Sequence, residues 1–197
     1  HEELAILDFD ETSHTFVSPQ KQNPQEEEVA DICHSLQYGI RSFMENAGLS
    51  KVVLGVSGGI DSAVNAALYA SILPKENILL VNMPSVYNSS MTKDLAQQLA
   101  DHIGCYYTVI PVQDSLELTR KQFREAPLLQ NGEEKGHLAL TSFIEENIQA
   151  RDRSSRILAA AAAAFGGVFT CNANKAESSV GYATLYGDHA GFLAATA

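Results

Sequence analysis

A Val-rich run, Lys51 to Val56, stops at Ser57-Gly58-Gly59-Ile60-Asp61-Ser62 and gives way at once to a helical pattern. This junction constrains the fold more than any other stretch of the chain. A short continuous apolar run bounded by turn residues reads as a strand buried on both faces, the kind found in parallel sheets. The same grammar repeats downstream. A helix over Ile60 to Leu73 turns Ala63, Val64, Ala67 and Leu68 inward and stops at Pro74. Asn77 to Met83 is a second strand, and Ser89 or Ser90 caps a helix with Leu95, Leu99 and Ile103 on one face. Cys105 to Val112 is a third strand. A helix over Gln113 to Glu125 follows, then an exposed loop from Ala126 to His137. Another helical segment ends in the alanine run Ala159 to Ala164, before a fourth strand over Val168 to Asn172. Strands alternating with helices define an α/β fold with a mostly parallel sheet.

Ahead of this pattern, Ser18 to Pro24 reads as a linker. Asn23 and Pro24 start a helix whose Glu26, Glu27 and Glu28 suit the positive end of its dipole. Val29, Ile32, Leu36, Ile40, Phe43 and Ala47 give it one apolar stripe, and Gly48 ends it.

The formal net charge of -11 repels polyanions, so nucleic acid is not expected as a partner. A small anionic ligand needs only a local site. No apolar run reaches membrane-spanning length. Cys33, Cys105 and Cys171 share no metal-ligand spacing; the latter two sit in apolar runs as packing thiols, and all three fit a reducing cytoplasm.

Gly55-Val56-Ser57-Gly58-Gly59-Ile60-Asp61-Ser62 lies where a strand ends and a helix begins. Amide groups at a helix start lack partners and favour an anion placed there. Gly58 and Gly59 let phosphate oxygens approach the backbone, and the hydroxyls of Ser57 and Ser62 add hydrogen bonds. Asp61 beside phosphate calls for a divalent cation between them, as ATP brings. The absence of a Gly-Lys-Ser/Thr ending sets aside the common NTPase loop, and the glycine spacing does not match the dinucleotide fingerprint. Met83, at the carboxyl end of the second strand, stands where open α/β sheets bind ligands and is a candidate adenine contact.

Ser-Gly-Gly-x-Asp-Ser resembles the signature of the N-type ATP pyrophosphatases. Met83 to Ser89, Glu146 to Arg153, Asn174 to Glu177 and Gly181 to Asp188 narrow the resemblance to the NAD synthetases, from about residue 26 onward. The resemblance implies a Rossmann-like three-layer sandwich of the adenine nucleotide alpha hydrolase kind. It also implies a reaction: the carboxylate of deamido-NAD attacks the α-phosphorus of ATP, and ammonia then converts the acyl-adenylate to NAD. ATP and Mg²⁺ are the implied cofactors. The whole loop from Gly55 to Ser62, together with Met83 and Asn172, is then expected to bind ATP, although the family usually has Thr at the position of Asn172. Asp61 and Glu177 take the metal-ligand positions. Lys175 follows the fourth strand as a cation near the phosphates, completing a catalytic set with Asp61 and Glu177. Asn147, Arg151 and Glu177 take deamido-NAD positions, the first two being four apart on a helix and so on one face.

Glu2 to Phe9 resembles the closing strand of a nitrilase-like glutaminase domain. Residues 1–24 are therefore expected to be a remnant of that domain and its linker, and residues 25–197 the synthetase domain. His1 opens the chain with no charged-then-apolar leader, so no secretory signal is expected. The family continues beyond the point corresponding to Ala197 with a lid, so a C-terminal truncation and slow turnover are expected. Glutamine as ammonia source and a homo-oligomer follow from the same resemblance. Two other readings stay open at this point: another ATP pyrophosphatase such as a GMP synthetase, or a nucleotide-binding fragment without turnover.

Overall fold

Val52, Leu54 and Val56 turn to one side of a parallel sheet and Val53 to the other, and this alternation builds two cores. The computed structural model describes residues 8–10, 12–17, 28–86 and 90–196, and the chain divides into two compact units, His1–Ile32 and Cys33–Ala197. The first unit holds an antiparallel hairpin, β1 (Asp8–Asp10) with β2 (Thr15–Val17). Its turn is set by Asp10, whose carboxylate accepts from the Thr12 amide at 2.8 Å and the Ser13 hydroxyl at 2.7 Å. The Ser18 to Pro24 linker, the Asn23 cap and Leu4 to Leu7 lie outside the described residues.

Helix α1 (Glu28–Asn46) crosses the division between the units. The second unit then runs β3 (Val52–Val56), α2 (Ile60–Ala70), β4 (Ile78–Asn82), α3 (Ser90–Ile103), β5 (Tyr106–Val109) and α4 (Gln113–Glu125). The strands line up as β5-β4-β3 with β8 (Val168–Phe169) on the far side of β3, and every neighbouring pair is parallel. One face carries Val52, Leu54, Ile78 and Leu80 under α2 and α3, with Ala66, Ala96 and Ala100 permitting close approach. The other carries Val53 and Val81 under Ile157, Leu158 and Ala162. The expected three-layer α/β sandwich is what forms. No helix among the described residues is long and apolar enough to cross a membrane.

Several expectations change in detail. In α1 the buried positions of the second unit are Ile40 and Met44, while Phe43 stays 41% exposed and stacks on Phe192. In α2 the inward residues are Ser62, Asn65, Ala66, Leu68 and Tyr69, whereas Val64 is exposed and Ala67 faces out. Asn65 is buried with its Nδ2 satisfied, donating to the Asp61 carbonyl at 3.0 Å and to Thr196 Oγ1 at 3.1 Å, while its Oδ1 has no partner among the described residues. Residues 126–137 form a second hairpin, β6 (Pro127–Gln130) and β7 (Glu133–His137), rather than a loop. Its turn residues Asn131 and Gly132 have φ of 55° and 81°, the sign pattern of a two-residue type I′ turn. Cys171 is buried and Cys105 half-buried, and burial pushes both thiols above their ordinary value. The fourth strand is shorter than expected, with Cys171 continuing only as an isolated bridge to Ala194.

Tyr69 is 1% exposed and its hydroxyl has no partner among the described residues. Burial accordingly pushes its ionisation well above the ordinary range. Tyr69→Phe removes an unpaired buried hydroxyl and keeps the ring, so it is expected to stabilise the fold by about 1 kcal/mol. A rise in the urea midpoint at unchanged slope is the expected readout. A fall would mean that the hydroxyl is bonded in solution.

Candidate functional site

The chain passes from β3 to β4 to β5 on one side, then returns to place β8 on the other side of β3. That reversal makes the carboxyl ends of β3 and β8 a topological switch point, where an open α/β sheet leaves a crevice. The Ser57–Ser62 turn stands at this edge. Gly58 has φ of 84°, a left-handed conformation that strains any side chain. Gly59 caps α2 without a side-chain hydrogen bond, so the first-turn amides of the helix remain open to a ligand.

The two hydroxyls serve the turn itself. Ser57 Oγ accepts from the Gly59 amide at 3.2 Å. Ser62 Oγ donates to the Gly59 carbonyl at 3.0 Å and accepts from the Ser57 amide at 3.4 Å. These bonds hold the turn in shape.

Above the turn lies a cavity of about 500 Å³. Of the residues singled out from sequence, Gly55, Val56, Ser57, Asp61, Ser62, Met83, Asn172 and Glu177 line it. Gly55 forms part of its floor: a Cβ there would come within 2.8 Å of Met83 Cε. Gly58, Gly59 and Ile60 belong to the turn but not to the cavity wall, and the Ile60 side chain is 75% exposed. Asn172 Nδ2 donates to the Gly55 carbonyl at 2.6 Å, which leaves its buried Oδ1 without a partner. Thr170, on the same wall, has a buried hydroxyl in the same condition. Both oxygens are buried and belong to residues that line the cavity.

Asp61 and Glu177, remote in sequence, are tied together by Asn174. Its Nδ2 donates to Asp61 Oδ1 at 3.0 Å, while its Oδ1 accepts from the Glu177 amide at 2.9 Å. The Asn174 amide returns a bond to Glu177 Oε2 at 3.1 Å, closing a capping box on α7 (Lys175–Val180). Lys175 opens that helix, exposed and outside the cavity wall.

The helical segment expected before the alanine run is one continuous rod of changing pitch: α5 (Ser142–Arg151), a π-helical stretch (Asp152–Leu158) and α6 (Ala159–Phe165). Arg120 on α4 anchors it, forking onto Glu145 with bonds of 2.7 and 2.6 Å. Asn147 and Arg151 do share a face, and both meet the segment that follows α7. Asn147 Oδ1 accepts from Thr184 Oγ1 at 2.8 Å, and Arg151 Nε donates to the Leu185 carbonyl at 3.2 Å. Neither lines the cavity.

Arg153, Ser154, Asn82, Thr170 and Asp188 also line the cavity without having been singled out. Arg153, Asn174 and Asp188 fall inside segments that carried the family resemblance, so their neighbourhood was visible and their individual placement was not. Asn82 had its own signal, as a polar residue ending an apolar strand. It is 4% exposed and donates to the Tyr107 hydroxyl at 3.2 Å.

Fold and crevice define a doubly wound α/β domain with an anion-ready turn at its switch point. The sequence profile described as NAD synthase matches residues 32–197, and the chain belongs to that family. It is 35% identical over 196 residues to a glutamine-dependent NAD(+) synthetase of Synechocystis sp., covering 100% of this chain and 33% of the relative. The corresponding enzyme of Aquifex aeolicus is 38% identical over 175 residues, covering 88% and 29%. The chain thus spans about a third of the length of these relatives. Among solved structures, the glutamine-dependent NAD+ synthetase from Acinetobacter baumannii in complex with ADP superposes with a TM-score of 0.82 at 30% identity, covering 100% of this chain and 35% of that one. The NH3-dependent NAD synthetase from Campylobacter jejuni gives a TM-score of 0.72 at 29% identity, covering 85% and 66%.

Proposed function

We propose that this chain binds ATP across the Ser57–Ser62 turn and uses it to amidate deamido-NAD to NAD, releasing AMP and pyrophosphate. One observation carries the reading: Asp61 and Glu177 line the same cavity beside the phosphate-type turn and are locked to each other through Asn174. Family membership and the similarity to an ADP-complexed synthetase support it.

The substrate carboxylate is already a nucleophile, so the first step needs positioning and charge neutralisation rather than a strong base. Its oxygen bonds to the α-phosphorus as the bond to pyrophosphate breaks. Ammonia then adds to the acyl carbon, AMP leaves with that oxygen, and a proton is released. The turn from Ser57 to Ser62 offers open amides to the phosphates. Asn172 and Met83 serve the nucleoside, and Lys175, which opens α7 outside the cavity wall, serves as a cation only for phosphates that extend beyond that wall. Asp61 and Glu177 would hold Mg²⁺, which when bound offsets the charge of the leaving pyrophosphate. The donor set fits that ion. Both are carboxylates on one cavity wall, and Mg²⁺ characteristically takes one or two carboxylates with the rest from phosphates and water. Asn147 and Arg151 hold the 184–185 segment as one wall for deamido-NAD, to which Glu177 also contributes.

In the same reading, residues 1–24 end a glutaminase domain of the parent chain and residues 25–197 form the synthetase domain, with glutamine supplying ammonia. The curated relatives matched here carry glutamine dependence in their names and extend well beyond this chain. A homo-oligomer in the cytoplasm completes the proposal; the free thiols of Cys33, Cys105 and Cys171 suit a reducing compartment.

The test supplies ATP, ammonium and magnesium with either deamido-NAD or xanthosine monophosphate. NAD and AMP formed together from the first mixture are the expected products. GMP from the second, with no NAD from the first, would overturn the reading.

A further inference from the structure

Among the described residues Arg153 is the one cation on the cavity wall, which otherwise carries the carboxylates of Asp61, Glu177 and Asp188. A site meant for an anionic nucleotide needs positive charge, in a chain whose formal net charge is -11. The residues first suspected of supplying it do not reach the wall: Lys175 is exposed and Arg151 is turned to the Leu185 carbonyl.

Arg153, Ser154 and Leu158 lie in the π-helical stretch Asp152–Leu158 and, with Ala150, line the cavity. Such wide turns recur at functional sites. Arg153 Nε donates to the Met83 carbonyl at 3.2 Å, which fixes the plane of the guanidinium. Its other N–H groups have no protein partner among the described residues. The adjacent carboxylate that would neutralise it is taken, since Asp152 forms paired bonds of 2.6 and 2.7 Å with Arg156. Burial pulls the Arg153 guanidinium below its ordinary value and the Asp152 charge opposes that pull. A guanidinium nonetheless stays protonated, and one drawn partly out of water with most of its N–H groups unpaired is costly to keep.

We infer that Arg153 is the anion-binding guanidinium of this site, contacting an oxygen of the nucleotide phosphates or of the substrate carboxylate. The inference rests on the proposed ATP-dependent amidation. Its rival is a positioning role, in which Arg153 only steadies the Met83 segment. A neutral ligand separates the two, because steadying Met83 affects adenosine as much as ATP.

The experiment titrates the full chain, as wild type, Arg153→Gln and Lys121→Gln, with adenosine, ATP, deamido-NAD and NAD by calorimetry. Lys121 is an exposed residue on α4, 3.9 Å from Glu125, and reports the effect of removing one remote charge. Arg153→Gln is expected to weaken ATP or deamido-NAD roughly 10- to 100-fold, with adenosine and the Lys121→Gln titrations unchanged. Weakened ATP identifies the phosphates as the source of the oxygen. A larger loss for deamido-NAD than for NAD, which carries an amide in its place, identifies the carboxylate. Equal losses for adenosine and ATP, or no loss for either anion, would overturn the inference while leaving ATP binding intact. Wild type that fails to bind ATP would overturn the proposed function, and this inference with it.

Discussion

Asp61→Asn and Glu177→Gln are each expected to lower pyrophosphate release about 1,000-fold while leaving the fold intact, an effect on the scale of removing a preorganised electrostatic group. The substitutions are chosen for the geometry. Asp61 Oδ1 accepts from Asn174 Nδ2, and Glu177 Oε2 accepts from the Asn174 amide. A side-chain amide oxygen accepts both bonds equally well, so the link through Asn174 survives and only the charge is lost. The melting temperature should therefore stay near wild type. The magnesium concentration for half-maximal rate should rise in both variants, because each removes one of the two carboxylates proposed to hold the ion. Rates within about tenfold of wild type would remove both residues from the proposed centre.

The second large effect is structural. Leu80 is 0% exposed at the centre of β4, packed in the core beneath α2 and α3. Leu80→Ala is expected to cost about 4 kcal/mol, because sheet and helices cannot both close on the void. That is a large fraction of the stability of an ordinary domain. Its neighbour Leu79 points to the other face and is only partly buried against the Val53 and Val81 cluster. Leu79→Ala should cost about half as much. Equal costs, measured as urea midpoints, would contradict the assignment of the principal core to the Leu80 face.

How much of this was legible in sequence depended on whether a signal was local. The central strands were, because a strand buried on both faces is a nearly continuous apolar run, as in Val52–Val56 and residues 78–81. The β6–β7 hairpin was not, because Glu133-Glu134-Lys135 carries no apolar alternation and its strands are largely exposed. Its one local signal is Asn131-Gly132, the residue pair of a two-residue hairpin turn. The inward face of α2 was misjudged because hydrophobicity alone was weighed. Asn65 looks like a surface residue until Thr196, brought over by the end of the chain, supplies its partner. Helix pitch was the least legible feature, since nothing in Asp152-Arg153-Ser154-Ser155 marks a π turn.

The candidate site divides in the same way. The Ser57–Ser62 turn is contiguous, so its anion-ready backbone was visible directly, as was the choice of glycine at Gly58. The pairing of Asp61 with Glu177 came from resemblance, and only the fold supplies the residue that joins them. Asn174 spends its whole side chain on that junction, donating to one carboxylate and accepting from the amide of the other. Arg153 was passed over in favour of Arg151 and Lys175 because sequence records which cations are present but not which are desolvated.

The central claim is that this cavity splits ATP between its α and β phosphates by attack of a carboxylate. Turnover with deamido-NAD labelled by ¹⁸O in its nicotinate carboxylate tests that claim directly. If the carboxylate oxygen bonds to the α-phosphorus and departs with it, label appears in AMP and the pyrophosphate is unlabelled. Label recovered in inorganic phosphate, with ADP as the nucleotide product, would contradict it.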